Sequence, residues 1–390
     1  RLLVARQPWD TKGPFYHIYR EGNFHPDALE NPSRPVLPNP YGLDFNRNYP
    51  YHWRPESKQL GAGAFPLSEP ETRAVVEFLS AHQNVFGCMN YHTYSGVLLR
   101  PYSDRPDSAM AHFDLAVFEH LGKRCEEHTG FAVKSTYHAF CYDVQNPLGG
   151  AFDDWAYEHY GVHAYTMELW SLWKQAGLNF SDDLLRFWRA RSEDEDLALL
   201  RWNDEELGGE GFVPWYGFEH AQLGPVEIGG WRWMFTWRNA PAHLLEGECH
   251  RACLFSLDHA RSGPRPRLQL QSEHLADDLF RVSAVMENQG FLPTYVTEHA
   301  RRQGIVRKLN LELCLPPGTT LVQGARTQRV EHLEGYANVA IPHQSAFTFE
   351  GRGRAHLLRA EWIVRGEGEL EARWWGDRIG QVRARVSLSL

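Results

Sequence analysis

Three short segments of the chain hold residue types that can do acid–base, metal and carboxylate chemistry. Gly42-Leu43-Asp44-Phe45-Asn46-Arg47-Asn48-Tyr49-Pro50 sets one arginine between two asparagines. A guanidinium grips a carboxylate through two parallel hydrogen bonds and a neighbouring amide adds donors, so Arg47 with Asn46 can hold a carboxylate; an arginine in a surface ion pair is the alternative. Asn90-Tyr91-His92-Thr93-Tyr94-Ser95-Gly96 puts His92 where an apolar run ends, and Ala164-Tyr165-Thr166-Met167-Glu168-Leu169-Trp170 does the same for Glu168. An imidazole at a strand end can ligate zinc, and a carboxylate at a neighbouring strand end can act as general base on an activated water. Singly, each has an ordinary reading: most of the 20 histidines must be surface or hydrogen-bonded core residues, and a strand-end glutamate is usually solvated or salt-bridged.

The fold has to gather these segments. Ser68-Glu69-Pro70-Glu71 reads as a capping box with proline in the first turn, and Ala74, Val75, Phe78 and Leu79 repeat at helical spacing, which predicts a helix ending near His82. Val85 to Tyr91 is a short, nearly continuous apolar run. After a helix, it predicts a strand buried on both faces of a parallel sheet, with His92 at its end. Helices are predicted over His112–His128, closed by Gly130, and over Ala151–Tyr160, closed by Gly161, before a strand over Val162–Leu169. Open α/β sheets bind ligands beyond the carboxyl ends of their strands, so His92 and Glu168 are expected to converge on one crevice. Residues 1 to about 65, rich in Pro, Gly and Asn, predict long loops around short strands.

One charged helix is expected from Asp182 to about Leu207, and Asn239-Ala240-Pro241 caps another running to about His259. Between them, His220 to Trp231 is rich in Gly and polar groups; a turn before an aromatic strand is preferred to a loop near the crevice. Beyond Pro264 and Pro266 the pattern changes to alternation, at Phe280, Val282, Ala284 and Met286, at Leu309, Leu311, Leu313 and Leu315, and at Val382, Ala384, Val386, Leu388 and Leu390. The expected fold is an α/β domain over 1–263, a mixed, mostly parallel sheet flanked by helices, followed by a small β-sandwich-like domain over 264–390. A chain of 390 residues exceeds what one hydrophobic core usually organises.

Composition narrows the function classes. With 43% hydrophobic and 23% charged residues the chain is an ordinary globular protein, not a disordered one. No apolar run reaches the ~18 residues that span a bilayer, so no membrane partner is expected. A net charge of −9 without a basic stripe gives no footing for nucleic acid. Six scattered cysteines read as mostly reduced and buried; Cys249, His250 and Cys253 share a helical stretch without a second ligand pair, so packing is preferred to metal binding.

Taken together, the three segments resemble the M14 zinc metallocarboxypeptidases, in the bacterial-type form with a trailing β domain. The family pattern has a G-[VL]-D-x-N-R-N-[FWY] loop, an H-[ST]-Y-S segment and a T-x-E-L strand. Here they occur in that order, with 45 residues from Arg47 to His92 and 76 from His92 to Glu168. Gly149-Gly150-Ala151-Phe152-Asp153-Asp154-Trp155 resembles the family's G-G-x-x-D-W stretch. The resemblance covers about residues 40 to 170 and implies a zinc-dependent carboxypeptidase that removes C-terminal residues from peptides. It makes His92 a zinc ligand, Glu168 the base that takes a proton from zinc-bound water, Arg47 and Asn46 the holders of the substrate's C-terminal carboxylate, and Tyr94 a lining of the path of the preceding substrate residues. Asp153 would floor the specificity pocket and favour C-terminal Lys or Arg; if Phe152 faces the pocket instead, apolar residues are favoured. Tyr142 stands near the place of the family's mobile tyrosine, where this chain has Gln145. It is a candidate substrate contact, with a packed loop tyrosine as the equal alternative.

The family's other two zinc ligands come from an H-x-x-E motif upstream of the Asn-Arg loop, and residues 1 to 46 contain none. His243-Leu244-Leu245-Glu246 lies after Glu168 and Glu331-His332-Leu333-Glu334 has the wrong spacing, so both read as structural. Arg20 and Arg34 are candidates for the arginine that polarises the scissile carbonyl. The expectation is that the natural protein begins before Arg1 and carries the missing pair, and that the 390-residue chain alone binds little zinc and is inactive. Two other readings stand beside it: a non-catalytic carboxypeptidase-like peptide-binding protein, and a zinc amidohydrolase acting on cell-wall peptides.

Overall fold

The computed structural model describes residues 43–141, 145–180, 182–221, 223–341 and 356–389, without the side chains of Trp188 and Arg189. Arg20, Arg34 and Tyr142 lie outside the described residues.

Four strands form the first sheet, β1 (Gly87–Thr93), β2 (Val97–Arg100), β3 (Ala132–Ser135) and β4 (His163–Leu169), in the order β1-β4-β2-β3. β1 runs parallel to β4 and β2 parallel to β3, whereas β2 and β4 are antiparallel, which makes the sheet mixed. Parallel register sets His92 opposite Glu168 and Asn90 opposite Thr166. Side chains alternate between faces along a strand, so residues opposite each other in register share a face. The convergence of His92 and Glu168 is thus a property of strand pairing. β1 starts two residues later than its apolar run and is only partly buried, with Tyr91 exposed. Among the described strands it pairs on one side only, so it lacks the double cover expected for it.

Helix α1 spans Pro70–Ala81, but no capping box opens it: Glu69 is the cap residue and makes no side-chain cap bond. Ser68 Oγ instead donates to Glu69 Oε1 at 2.6 Å and accepts from Asn48 Nδ2 at 3.0 Å. Helix α2 (His112–Thr129) ends at Gly130, whose left-handed backbone returns its N–H to Glu126 O. Helix α3 (Phe152–Trp155) widens into a π turn over Ala156–Tyr160 and closes at left-handed Gly161. The single helix expected from Asp182 is two, α4 (Leu184–Arg189) and α5 (Glu193–Leu207). Ser192 and Glu195 exchange reciprocal side-chain-to-backbone bonds that open α5, so a second start signal interrupts the charged run. A hairpin of β5 (Phe212–His220) and β6 (Gly224–Trp231) follows, so the Gly-rich stretch is a turn and its second strand. Helix α6 (Ala242–Arg261) packs on α2 and β1. Residues 43–65 form a 3-10 turn and bends but no strand.

The core beneath these helices gathers Val117 and Phe118 of α2, Tyr157 after α3, Tyr165 and Met167 of β4, and Phe255 of α6. All six cysteines are free, and the expectation of burial holds for Cys125 but not for Cys249 and Cys253. Four residues apart on α6, these two share its outward face and are exposed.

Two antiparallel sheets complete the chain. One has the order β10 (Thr320–Gln323), β12 (Leu357–Arg365), β8 (Leu279–Asn288) and β7 (Pro266–Ala276); the other has β11 (Thr327–Val330), β9 (Leu309–Cys314), β13 (Gly368–Gly376) and β14 (Gly380–Leu388). The alternation read from the sequence becomes their shared interior, where Phe280, Val282, Ala284 and Met286 meet Leu309, Leu311, Leu313, Leu370, Ala372 and Trp374. Helix α7 (Glu298–Gln303) starts against the first part of the molecule: buried Asp114 accepts the N–H groups of Glu298 at 2.7 Å and His299 at 2.9 Å, together with the Tyr157 hydroxyl at 2.8 Å. In the other direction buried Arg378 donates to Gln83 O at 2.8 Å, Val85 O at 2.7 Å and Tyr160 O.

Candidate active site

The Asn-Arg loop is a rigid turn because its polar groups close on themselves. Asp44 Oδ1 accepts from Asn46 N at 2.9 Å, and Arg47 N bonds back to Asp44 O at 2.8 Å. Asn48 is fully buried and satisfied: its Nδ2 donates to Ala62 O, Phe65 O and Ser68 Oγ, and its Oδ1 accepts from Thr72 Oγ1 at 2.7 Å. That clasp ties the loop to the start of α1. On its other side the loop lies on Gly149-Gly150. Tyr49 N donates to Gly150 O, Gly150 N to Tyr51 O, and Phe152 N to Asn46 Oδ1 at 2.8 Å. A Cβ on Gly150, at φ +70°, would stand 2.2 Å from Arg47 O, and one on Gly149 would stand 2.1 Å from His52 O. The paired glycines are therefore what lets the arginine loop approach α3.

His92 Nδ1 lies 3.5 Å from Glu168 Oε1, with side-chain exposures of 30% and 12%. Its Nε2 is 2.9 Å from Asn90 Nδ2, two residues back on the same face of β1. An amide nitrogen can only donate, so in this arrangement Nε2 accepts and the ring proton sits on Nδ1, facing Glu168. Burial opposes a charge on His92, but the Glu168 hydrogen bond and the negative charges of Glu168, Asp153 and Asp44 outweigh it, and the pKa rises above 6.5. Asp153 is buried with one carboxylate oxygen unpaired among the described residues. Burial raises its pKa, while its own and Asp154's backbone N–H groups and the charges of His92 and Arg47 pull it down. His92 thus lies within electrostatic reach of Glu168, Asp153 and Asp44, and Asp153 within that of His92 and Arg47.

The other candidates fall elsewhere. Phe152 is buried with its ring 5.2 Å from Tyr49 and 6.0 Å from Trp155. Tyr94 is 7% exposed, among Trp173, Trp233 and Trp237, with the Arg238 guanidinium 5.8 Å from its ring. Trp170, two residues beyond Glu168, holds a left-handed backbone at φ 64°. Its N–H is bound by Glu248 Oε1 at 2.9 Å and its indole N–H by Thr236 O at 2.7 Å. A non-glycine residue keeps such a conformation only when its surroundings over-determine it. Asn90 and Glu248 are contributors that sequence reasoning missed; period two along β1 could have signalled Asn90, while nothing local signals Glu248.

Residues 21–190 match the family model described as zinc carboxypeptidase. Through this stretch the chain resembles the zinc carboxypeptidase (M14) family. Zinc carboxypeptidase A 1 of Anopheles gambiae is 32% identical over 138 residues, which is 33% of this chain and 31% of that protein. Mast cell carboxypeptidase A of Homo sapiens is 31% identical over 135 residues, 33% of this chain and 32% of that protein. The chain thus spans about a third of the length of the carboxypeptidases it matches. A crystal structure of carboxypeptidase A from Helicoverpa armigera aligns with 16% identity over 43% of this chain and 42% of that one, at a TM-score of 0.27. Residues 268–387 match a separate family model, described as a domain of unknown function, DUF8731.

A zinc carboxypeptidase implies zinc. Among the described residues, however, no group of three or more His, Cys, Asp or Glu is placed to hold a metal ion. His92 as it stands offers a protonated Nδ1 to Glu168 and accepts at Nε2, so it binds a proton between two neighbours. Turning the Asn90 amide over would let its Oδ1 accept from Nε2–H and release Nδ1 as a ligand, which is one ligand where a catalytic zinc needs three. The described residues alone do not fit the ion.

Proposed function

We propose that this protein is a zinc-dependent carboxypeptidase acting on the C-terminal residue of peptides. The observation that carries the proposal is the pairing of His92 and Glu168 at the C-terminal ends of β1 and β4, with Nδ1 3.5 Å from Oε1, beside buried Asp153, on which the charges of His92 and Arg47 act. Arg47 and Asn46 bind the substrate carboxylate: Asp44 lies 3.7 Å from the guanidinium, and Asn46 spends its Oδ1 on Phe152 N, which leaves its Nδ2 to donate. Anchoring a free carboxylate restricts action to chain ends. Glu168 takes up a proton during attack and returns it to the departing amine. His92 is the one described residue that would help to hold zinc, which would supply Lewis-acid activation.

Asp153 selects a basic C-terminal residue, since a buried carboxylate with an unpaired oxygen is relieved by a cation. Phe152, packed in the core, does not compete for that role. Tyr94 contributes by supporting the wall of the site.

The test is mass-spectrometric shortening of peptides, with and without added zinc, by the protein as its source expresses it; the 390-residue chain by itself, with one ligand among its described residues, should bind little zinc and leave peptides intact. Peptides ending in Lys should lose one residue faster than those ending in Phe, and C-terminal amides should persist. Internal cleavage, equal rates for Lys and Phe, or shortening of amides would defeat the corresponding assignment. The single ligand among the described residues favours one second reading, a protein that holds peptide C-termini without cutting them; carboxylate-dependent binding with no shortening selects it.

A further inference from the structure

The strand ends that carry the site lead into the same turn. Tyr94, two residues after His92, meets Trp233 edge-on at 5.6 Å. Trp170, two residues after Glu168, binds Thr236 O. The wide turn Trp233–Trp237 after β6 therefore rests on both segments. Its inner residues Thr236 and Trp237 are buried, but Trp233, Met234 and Phe235 are 45%, 52% and 74% exposed. Three consecutive large apolar side chains left in water form the kind of patch that marks a binding surface. Trp233 is fixed by stacking on Trp237, with centroids 5.2 Å apart and planes at 19°, so a ligand would not have to order it. The turn also lies beyond residues 21–190, outside the family match.

We infer that Trp233, Met234 and Phe235 form an apolar subsite for the substrate chain upstream of the scissile bond. Extended peptides with aliphatic or aromatic residues a few positions before the C-terminus are then preferred to short or polar ones. The inference rests on the carboxypeptidase proposal, which puts the peptide's end at Arg47 and so sends the preceding residues out of the site. The substrate is the occupant because the turn that carries the shelf packs on both segments that bear the site, through Trp233 on Tyr94 and Thr236 on Trp170.

The experiment measures binding of two six-residue peptides to the full chain by calorimetry. Both end in Lys; one has Leu and Phe at the fourth and third positions from the end, the other Gly and Ser, and each is made as free acid and as amide. The apolar peptide should bind roughly five- to tenfold more tightly, the amount that partial burial of two such side chains supplies. Met234→Ser with Phe235→Ser should abolish that advantage and leave the Gly-Ser peptide unaffected. Both side chains are largely exposed, so the variant should fold, and an unchanged melting temperature verifies it. An apolar advantage that is absent from the parent or survives in the variant overturns the inference. So does loss of phosphatidylserine-vesicle binding or of self-association in the variant with peptide selectivity intact, which gives the shelf to a bilayer or to a second copy. Failure of the underlying carboxypeptidase proposal reads out separately, as equal binding of acids and amides.

Discussion

His92 and Glu168 oppose each other in register on adjacent parallel strands, with Nδ1 3.5 Å from Oε1. Because the strand period is two, a one-residue slip of β1 against β4 would send the two side chains to opposite faces. The distance between carboxylate and imidazole is therefore set by the hydrogen-bond ladder of the sheet and needs no further device.

Glu168→Gln keeps the shape and removes the proton acceptor. Carboxypeptidase turnover should fall by roughly 10²–10⁴-fold, the usual worth of a positioned general base, while peptide affinity is retained. Loss of binding in step with turnover would show that Glu168 holds substrate rather than a proton.

Arg47→Lys preserves charge and loses the planar fork. Affinity for peptides with a free carboxylate should drop about tenfold or more, with no change for the corresponding amides, in a titration of both peptide forms. An equal loss for both would mean that the arginine acts only within its loop, as the bland ion-pair alternative holds.

Gly150→Ala tests how the loop is seated. With φ at +70° and Arg47 O 2.2 Å from the new methyl, the loop must shift. A stability loss of roughly 2–4 kcal/mol in chemical denaturation is expected, together with weaker carboxylate binding. Loss of stability with binding untouched would separate the seat from the site.

His163 and His259 give a pH prediction. Both are buried, and burial pushes the pKa of His163 down to about 3, with His259 adding to the shift, and that of His259 to about 4. A histidine whose folded pKa lies below its free value near 6.5 supports the fold while neutral. The contribution is complete above pH 6.5 and is lost as pH falls toward 3–4. The unfolding free energy should fall steeply between pH 6.5 and 4, by on the order of a few kcal/mol, and the slope should flatten in His163→Leu with His259→Leu. An unchanged slope in that double variant would remove both imidazoles from the account.

The elements that could be read in advance are those with local causes. Gly130 and Gly161 close α2 and the turn after α3 because only glycine enters the left-handed region at low cost, and the alternation at Phe280–Met286 maps directly onto an inner sheet face. The convergence of His92 with Glu168 followed from strand-end logic. What stayed hidden depends on distant partners. Ser68 is drawn from a cap to Asn48, 20 residues away, and Glu248 reaches the backbone of Trp170, 78 residues away. Tyr94 reads as a lining of the substrate path, yet its burial is decided by Trp233 and Trp237, about 140 residues away in the turn after β6.

The contacts made by Asp114 and Arg378 have one feature in common: each ends on main-chain groups of the opposite part of the molecule, two amides in one case and three carbonyls in the other. Main-chain groups persist whatever residues surround them, so neighbouring side chains can drift without loosening either rivet. Heat should accordingly melt the helical and the sandwich portions together, as one calorimetric peak instead of two.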